Sequence, residues 1–373
     1  MKIALVANTS WNIYNFRAGL VKYLLANGHQ ISIVAPIDEY SEKIKTWQVD
    51  FHAVELENKG TNPLSDIKFY TQLRKIYKKI APDIVLHFTI KPNIYGTLAC
   101  RSLKIPCINN VSGLGTTFIH KKISSRIAHL LYRFSFRFAQ KVFFQNKEDL
   151  ALFVEKRLVK PEKTGLLAGS GIDLEKFSPQ DIPHAHFTFL MIARLIYDKG
   201  IREYVEAAHI VKKSFPQVSF WLIGGFEKNT QNPLNISPEE VSTWQGIVEY
   251  LGVKDDVRPY IASADVVVLP SYREGTPRSL LEAAAMAKPL LATDVAGCRE
   301  VIDNGKNGFF CEVKNSQSLA EKMITFIEMP KQVLREMGDY SRRKVEKDFD
   351  EKLVFQAYQK TIKEIFETKK EEI

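Results

Sequence analysis

Short apolar runs alternate with helical stretches along this chain, and this alternation limits the possible folds more than any other feature. The runs Lys2–Ala7, Gln30–Ala35 and Asp83–Phe88 are each followed by a segment with helical periodicity. The same pattern in the second half predicts a helix over Pro238–Leu251. Strands that alternate with helices form parallel sheets with helices packed on both faces. The sequence therefore predicts a doubly wound α/β architecture.

Proline and glycine residues cluster between Pro161 and Pro183, and this cluster interrupts the alternation before it starts again. Such clusters are typical of linkers. At 373 residues the chain also exceeds the size of a typical single core. We therefore predict two Rossmann-like domains that face a central cleft, and a last helix that packs back on the first domain. The predicted bounds are 1–183 for the first domain, 184–351 for the second and 352–373 for the helix.

Composition and charge limit the compartment and the partners. The chain is 45% hydrophobic and 25% charged, which is ordinary for a soluble globular protein. No apolar run reaches the roughly 18 residues that span a bilayer, and the first strand is too short for a signal peptide, so we expect a cytoplasmic protein. The four cysteines lack metal-ligand spacing and are interpreted as reduced, packed thiols.

The positive charge is concentrated in the first half of the chain. The first 180 residues carry a net charge of +12, whereas the whole chain carries +9. An anionic substrate, an anionic membrane surface or a nucleic acid would each explain this excess.

Two glutamates bracket a turn in the second half. Glu274 and Glu282 are separated by seven residues, and the turn between them joins the apolar strand Asp265–Leu269 to an apolar helix. At the carboxyl end of a parallel strand, such a turn points backbone N–H groups at an anion, whereas carboxylates accept hydrogen bonds from hydroxyl groups. A nucleotide sugar carries both kinds of group. A solvated pair or the carboxylate dyad of a hydrolase would show the same spacing. The residues of the turn that would line a donor site are Gly275, Thr276, Pro277, Ser279 and Leu280.

Two cations and a glycine follow neighbouring strands. Arg194 and Lys199 come just after the strand Phe187–Ile192, at a helix N-terminus, where positive charge suits a diphosphate. Two solvated cations would show the same pattern. Gly224 follows the next strand and would let a base or ribose approach the backbone closely.

Together these segments resemble the E-x7-E signature of retaining glycosyltransferases of family 4, which have the two-domain GT-B fold. The resemblance covers nearly the whole chain. It implies that Glu282 binds the ribose hydroxyls of a UDP-sugar and that Glu274 contacts the sugar near the reacting carbon. It also implies that Arg194 and Lys199 neutralise the departing diphosphate, with no metal ion or other cofactor. The further segments that carry the resemblance are Ala193–Leu195, Ala264–Ser271 and Asp294–Glu300.

The first half supplies candidates for the acceptor site. Gly113 and Gly115 would allow the donor sugar or diphosphate to approach closely. Phe16-Arg17 resembles a bacterial subgroup that elongates lipid-linked saccharides, which implies that Arg17 meets an acceptor pyrophosphate; a surface arginine is the alternative. A histidine packed in its strand is the alternative interpretation of His87. The further candidates for acceptor contacts are Asn12, His87 and Lys91.

A basic amphipathic segment spans His120–Lys141. Apolar residues recur at helical spacing from Ile123 to Phe138, and no acidic residue interrupts the cations between Lys121 and Lys141. Such a helix can lie on an anionic bilayer, or it can pack its apolar stripe on the sheet and leave its cations in water.

We therefore expect a retaining glycosyltransferase of bacterial glycan assembly. It would move a hexose or N-acetylhexosamine, with GalNAc or GlcNAc favoured, from a UDP-sugar to a polyprenyl-diphosphate-linked saccharide. It would work at the cytoplasmic face of the cell membrane and bind no nucleic acid. A soluble glycosyltransferase with a small-molecule or polysaccharide acceptor, and a non-catalytic nucleic-acid-binding protein, are the alternatives.

Overall fold

The computed structural model describes residues 1–57, 62–113, 123–180, 182–226 and 235–371. The chain divides into two compact units. Unit 1 contains Met1–Ser170 and Glu351–Ile373, and unit 2 contains Gly171–Asp350. Each unit is a parallel sheet covered by helices, so the predicted α/β class is confirmed.

Unit 1 has a parallel sheet with the strand order β3-β2-β1-β4-β5-β6-β7. The order reverses between β1 and β4. Its strands are β1 Lys2–Val6, β2 Gln30–Ala35, β3 Asp50–Ala53, β4 Ile84–Phe88, β5 Cys107–Val111, β6 Lys141–Phe144 and β7 Thr164–Leu166. Its first helices are α1 Ser10–Phe16, α2 Ala18–Ala26, α3 Ser41–Lys45, α4 Pro63–Ile80, α5 Thr97–Leu103, α6 Ile123–Ser135 and α7 Lys147–Glu155.

The central strands of unit 1 are mostly apolar because both faces of the sheet are buried. In β1, Ile3 and Leu5 contribute to the core on one face, and Ala4 and Val6 contribute to the core on the other. Buried parallel strands are expected to be continuous apolar runs for this reason.

The sheet of unit 2 repeats the order of the first six strands of unit 1, as β10-β9-β8-β11-β12-β13, and all its strands are parallel. Its strands are β8 Thr188–Ile192, β9 Ser219–Ile223, β10 Glu249–Gly252, β11 Val266–Leu269, β12 Leu290–Thr293 and β13 Gly308–Cys311. Its helices are α8 Ile201–Lys212, α9 Pro238–Ser242, α10 Arg258–Ala262, α11 Arg278–Ala285, α12 Ala296–Val301, α13 Ser316–Glu328 and α14 Lys331–Asp348.

The last helix, α15 (Glu351–Glu371), packs against unit 1. Val354, Phe355 and Tyr358 are buried in the core that also contains Leu20 of α2. Burying an apolar side chain of this size stabilises a protein by roughly 1.5–3 kcal/mol. A Cβ atom on Gly19 would lie 2.6 Å from the Phe355 ring, so the two helices lie close together at this glycine.

The predicted helix over Pro238–Leu251 is wrong. α9 ends at Ser242, and the edge strand β10 follows it. Gly246 lies between them with φ at 78°, a backbone conformation that does not continue a helix.

The chain passes from unit 1 to unit 2 between Ser170 and Gly171, ahead of the predicted domain bound at 183/184. The segment after Gly171 belongs to unit 2 because its backbone is bonded there. The N–H of Ile172 donates to the Phe349 carbonyl at 2.8 Å, and Arg342 donates to the Phe177 carbonyl at 3.0 Å.

The four cysteines are free and buried, as the sequence predicts. Among the residues that the structure describes, no helix has the length and hydropathy needed to cross a bilayer.

Candidate functional site

The carboxyl edge of the unit 2 sheet brings together residues that the sequence places after separate strands. β8 leads to Arg194, β9 to Gly224, β11 to Glu274 and β12 to Gly297. Because the strands are parallel, these loops emerge at one edge of the sheet. The strand order reverses between β8 and β11, and open α/β sheets bind ligands at such a reversal.

Lys199 and Glu274 form an ion pair across this reversal. The Nζ atom lies 2.5 Å from Oε1, and the two side chains are only 20% and 11% exposed. The Tyr272 N–H donates to the Asp198 carbonyl at 2.9 Å, which joins the loop that carries Lys199 to the loop that carries Glu274. A pair shielded from water interacts more strongly than a surface pair. Arg194 is on the first of these loops and is exposed to solvent.

Glu282 lies on α11 and pairs with Arg278, one turn earlier in the same helix. The Arg278 Nε donates to Oε1 of Glu282 at 3.1 Å, and its Nη1 donates to the Gly171 carbonyl at 3.3 Å. Burial raises the pKa of Glu282, and the Arg278 guanidinium opposes that rise. The sequence analysis did not identify Arg278. The spacing of i and i+4 from Arg278 to Glu282 in a predicted helix indicates that the two side chains are neighbours.

The turn predicted for donor binding leads directly into α11. Gly275 and Pro277 are buried, whereas Thr276 and Ser279 are partly exposed. The first N–H groups of a helix lack partners within the helix, and the helix dipole is positive there. Leu280 is fully buried in the core, so only its backbone could face a ligand.

Two glycines allow backbone segments to touch behind these loops. A Cβ atom on Gly297 would lie 2.6 Å from the carbonyl carbon of Gly275 and 2.9 Å from that of Glu274. A Cβ atom on Gly224 would lie 2.8 Å from the carbonyl carbon of Ala193. The sequence predicts that Gly224 lets a base or ribose approach the backbone. In the structure, Gly224 lies close to the backbone of Ala193, the residue before Arg194. The sequence interpretation gave Gly297 no role.

Three of the predicted acceptor residues lie in or near α1 and after β4 of unit 1. Arg17 is buried, with its guanidinium carbon 4.3 Å from the centroid of the Phe88 ring. The Lys91 ammonium lies 2.8 Å from Oδ1 of Asp66, and both side chains are mostly buried. Asn12 is partly exposed in α1.

His87 is fully buried in β4. Its Nε2 lies 3.0 Å from the Tyr77 hydroxyl and its Nδ1 lies 2.9 Å from Oδ1 of Asn109. Both ring nitrogens have protein partners, and this placement removes His87 from the candidate acceptor groups. Gly113 has φ at 123°, a conformation that favours glycine. Gly115 lies outside the described residues.

The amphipathic segment contains α6, whose apolar residues fall into a buried set and an exposed set. Tyr132 and Phe136 are buried in the core of unit 1. Ile127, Leu130 and Phe134 are 44%, 67% and 49% exposed. Residues 120–122 and the side chains of 123–126 lie outside the described part of the chain.

Comparisons with known proteins show the family of this chain. A family model described as glycosyl transferases group 1 matches residues 173–344, and one described as glycosyl transferase 4-like matches residues 2–146. A Campylobacter jejuni protein, N,N'-diacetylbacillosaminyl-diphospho-undecaprenol alpha-1,3-N-acetylgalactosaminyltransferase, is 30% identical over 96% of this chain and 98% of its own length. The chain belongs to the glycosyltransferases.

A second relative of this glycosyltransferase is the Escherichia coli UDP-Gal:alpha-D-GlcNAc-diphosphoundecaprenol alpha-1,3-galactosyltransferase. It is 26% identical over 77% of this chain and 76% of its own length. Solved structures share the fold over nearly the whole chain. HepE from Anabaena, in complex with UDP-glucose, has a TM-score of 0.81 and 18% identity and covers 98% of this chain and 100% of its own. A Rickettsia africae glycosyltransferase has a TM-score of 0.78 and 19% identity and covers 98% of both chains. The predicted GT-B fold is confirmed.

Proposed function

We propose that this glycosyltransferase transfers an N-acetylhexosamine or a hexose from a UDP-sugar to a polyprenyl-diphosphate-linked saccharide. We propose further that it retains the anomeric configuration and needs no metal ion. The observation that carries the proposal is the shielded Lys199–Glu274 ion pair at the strand-order reversal of unit 2, next to the N-terminus of α11.

This arrangement fits the departure of a diphosphate. When the bond between the sugar C1 and the phosphate oxygen breaks, its electron pair leaves on UDP, and negative charge grows on the diphosphate. Lys199, Arg194 and the N-terminal N–H groups of α11 are fixed positive groups that would stabilise this charge. Such stabilisation by side chains and backbone is the reason to propose a reaction without a metal ion.

The two glutamates have different tasks in this proposal. Glu282 accepts hydrogen bonds from the ribose hydroxyls, because it is held on a helix among buried neighbours. Glu274 faces the sugar, and Lys199 keeps its carboxylate in place. The acceptor hydroxyl then attacks C1 on the face that UDP leaves, through an oxocarbenium-like transition state, and its proton passes to the departing diphosphate.

The names of the relatives support the choice of substrates. The Campylobacter jejuni relative is named for transferring N-acetylgalactosamine to a diphospho-undecaprenol-linked sugar, and the Escherichia coli relative for transferring galactose to another. Arg17 and Lys91 in unit 1 are cations that would serve an acceptor pyrophosphate after local rearrangement, since Arg17 is buried and Lys91 is paired with Asp66.

The outward face of α6 supports a peripheral place on an anionic bilayer, at the cytoplasmic side of the cell membrane. Ile127, Leu130 and Phe134 recur at i, i+3 and i+7, so they share one face of the helix. Arg133 and Arg137 are exposed beside them, and the Arg137 guanidinium carbon lies 5.3 Å from the centroid of the Phe134 ring. Apolar side chains flanked by cations match the boundary between acyl chains and anionic headgroups.

A donor screen tests the nucleotide and the sugar. The melting temperature is measured with UDP-, GDP- and ADP-sugars at equal concentration. Binding to the folded state alone stabilises it according to ligand concentration and affinity. Stabilisation by UDP-N-acetylhexosamine supports the donor assignment, and stabilisation by GDP- or ADP-sugars alone overturns it.

A transfer assay tests the acceptor, the stereochemistry and the metal requirement. The purified protein receives the UDP-sugar with either a polyprenyl-diphosphate-linked saccharide or its water-soluble, lipid-free analogue. We expect turnover to require the lipid-linked acceptor, the product to keep the α-configuration of the donor by NMR, and activity to persist in EDTA. Undiminished turnover on the soluble analogue would support the alternative of a soluble glycosyltransferase. A product with inverted configuration would exclude retention. Inhibition by EDTA that Mg²⁺ or Mn²⁺ reverses would exclude a metal-independent reaction.

A further inference from the structure

Arg278 occupies a position that the stability of its own helix does not explain. It is the first residue of α11, and the first turn of this helix contains no acidic residue. A cation at the positive end of a helix dipole is unfavourable, and arginine before glutamate at i, i+4 is the weaker order of such a pair. A local role in forming the helix would favour an acidic residue here instead.

The contacts of Arg278 fix the carboxylate of Glu282. The Nε atom donates to Oε1 at 3.1 Å, while Nη1 of the same planar guanidinium donates to the Gly171 carbonyl at 3.3 Å. Because the fork is rigid and bound at two points, it holds the carboxylate at one angle. The hydrogen bond from the Arg278 Nε goes to Oε1, so Oε2 is the oxygen that would accept from a ligand.

Arg278 also affects the charge of Glu282. Burial raises the pKa of this carboxyl, Arg278 and then Lys176 oppose the rise, and Asp256 adds to it. A protonated carboxyl loses acceptor capacity that two ribose hydroxyls would need. A cation paired with Glu282 therefore keeps it in the form that accepts hydrogen bonds.

We propose that Arg278 is a positioning residue for the donor, which holds Glu282 so that its carboxylate accepts hydrogen bonds from the ribose hydroxyls. This inference rests on the proposed function, since it takes Glu282 as the ribose-binding group. Arg278 acts through Glu282 and not by direct contact with the diphosphate.

A cycle of one substitution and one ligand change tests this inference. The Kd values of UDP and of 2′,3′-dideoxy-UDP, which lacks both ribose hydroxyls, are measured by calorimetry for the wild type and for Arg278→Gln. Hydrogen bonds to charged groups contribute strongly to binding, and only UDP has the ribose hydroxyls that would form them with Glu282. We therefore expect Arg278→Gln to weaken UDP binding about tenfold and dideoxy-UDP binding less than about twofold. An equal loss for both ligands, or no loss for UDP, overturns the inference.

Two further variants separate positioning from folding. Arg342→Gln is the matched control, because Arg342 bonds the Ala285 carbonyl at the other end of α11 at 2.7 Å without touching Glu282. We expect it to lower the melting temperature and to leave the ratio of the two Kd values unchanged; a changed ratio in this control would mean that any damage to α11 has the same effect, and would overturn the inference. Arg278→Lys keeps the charge and supports the same cycle if the glutamine variant does not fold, with a smaller selective loss expected.

The pH profile adds a readout that a structural role would not change. In Arg278→Gln, the opposing cation is gone and Lys176 and Asp256 remain, so we expect UDP binding to weaken at a higher pH than in the wild type as the pH falls. An unchanged profile overturns the inference. Failure of the proposed function looks different, because the wild type itself would then not bind UDP.

Discussion

Lys199 and Glu274 are 75 residues apart in the sequence, yet their charged groups are 2.5 Å apart. Each follows a different strand, β8 and β11, and these strands are neighbours only because the sheet reverses its order between them. The pair therefore depends on the topology of unit 2, and the proposed donor site is centred on it.

Replacing Lys199 with alanine should reduce turnover and preserve the fold. The change removes a positive group from the departing diphosphate, and single groups of this kind contribute about a hundredfold or more to turnover. Steady-state kinetics with the lipid-linked acceptor measure the effect. Lys68→Ala is the control, because the Lys68–Glu55 pair is 63% and 76% exposed and its loss should change neither turnover nor stability measurably. Equal turnover in Lys199→Ala and Lys68→Ala would contradict the assignment of Lys199.

Gly297→Ala should displace the backbone at Glu274 and Gly275, because its Cβ atom would overlap the Gly275 carbonyl. Gly308→Ala is the matched control: its Cβ atom would lie 2.9 Å from the Leu290 carbonyl carbon, where β13 begins. Overpacking of this kind destabilises proteins by roughly 1–3 kcal/mol, so both variants should unfold at lower temperature. Only Gly297→Ala should lose turnover per folded molecule. Similar turnover in the two folded variants would show that Gly297 does not position Glu274.

Glu282→Gln should separate stability from donor binding. Burial raises the pKa of Glu282 in the folded state above the ordinary value of 4.5. At a pH between 4.5 and this raised pKa, the folded state therefore binds more protons than the unfolded chain. The free energy of unfolding contributed by this group therefore falls as the pH rises through that window, and glutamine removes the fall. We expect Glu282→Gln to melt above the wild type at pH 7, with a difference that shrinks as the pH approaches 4.5, and to bind UDP more weakly. A wild type that is more stable at pH 7, or a glutamine variant with full UDP affinity, would contradict this.

The double substitution Leu130→Glu/Phe134→Glu should reduce binding to anionic vesicles and leave the fold intact, because both side chains are exposed. Co-sedimentation with vesicles of phosphatidylglycerol and phosphatidylcholine measures it. Leu64→Glu is the control, since Leu64 is 78% exposed on α4 and lies outside the basic segment. Equal binding of the double variant and the control would remove α6 from the membrane contact.

Much of the fold is predictable from the sequence because buried parallel strands are recognisable apolar runs. β11 is Val266–Leu269, four apolar residues that are all buried. β10 was missed because it is an edge strand with partly exposed residues, so Glu249–Gly252 lacks that pattern. Local hydrophobicity thus identifies central strands better than edge strands.

The candidate site was predictable where a residue follows a strand and was not where the role depends on packing. Glu274, Lys199 and Arg194 were found from their positions after β11 and β8. His87 was predicted from its place near the end of β4, but its ring is hydrogen-bonded to Tyr77 and Asn109 inside unit 1, which only the packing reveals. Spacing alone does not show which face of a strand a side chain occupies relative to its neighbours.

In the proposed reaction, Glu274 acts on the sugar while Glu282 and α11 hold the nucleotide. The substitution Glu274→Ala tests this division of roles. The variant and the wild type are compared for UDP affinity by calorimetry and for turnover with UDP-sugar and the lipid-linked acceptor. We predict a folded variant that binds UDP with nearly unchanged affinity and has almost no turnover. A folded Glu274→Ala protein with wild-type turnover would show that Glu274 does not act on the sugar.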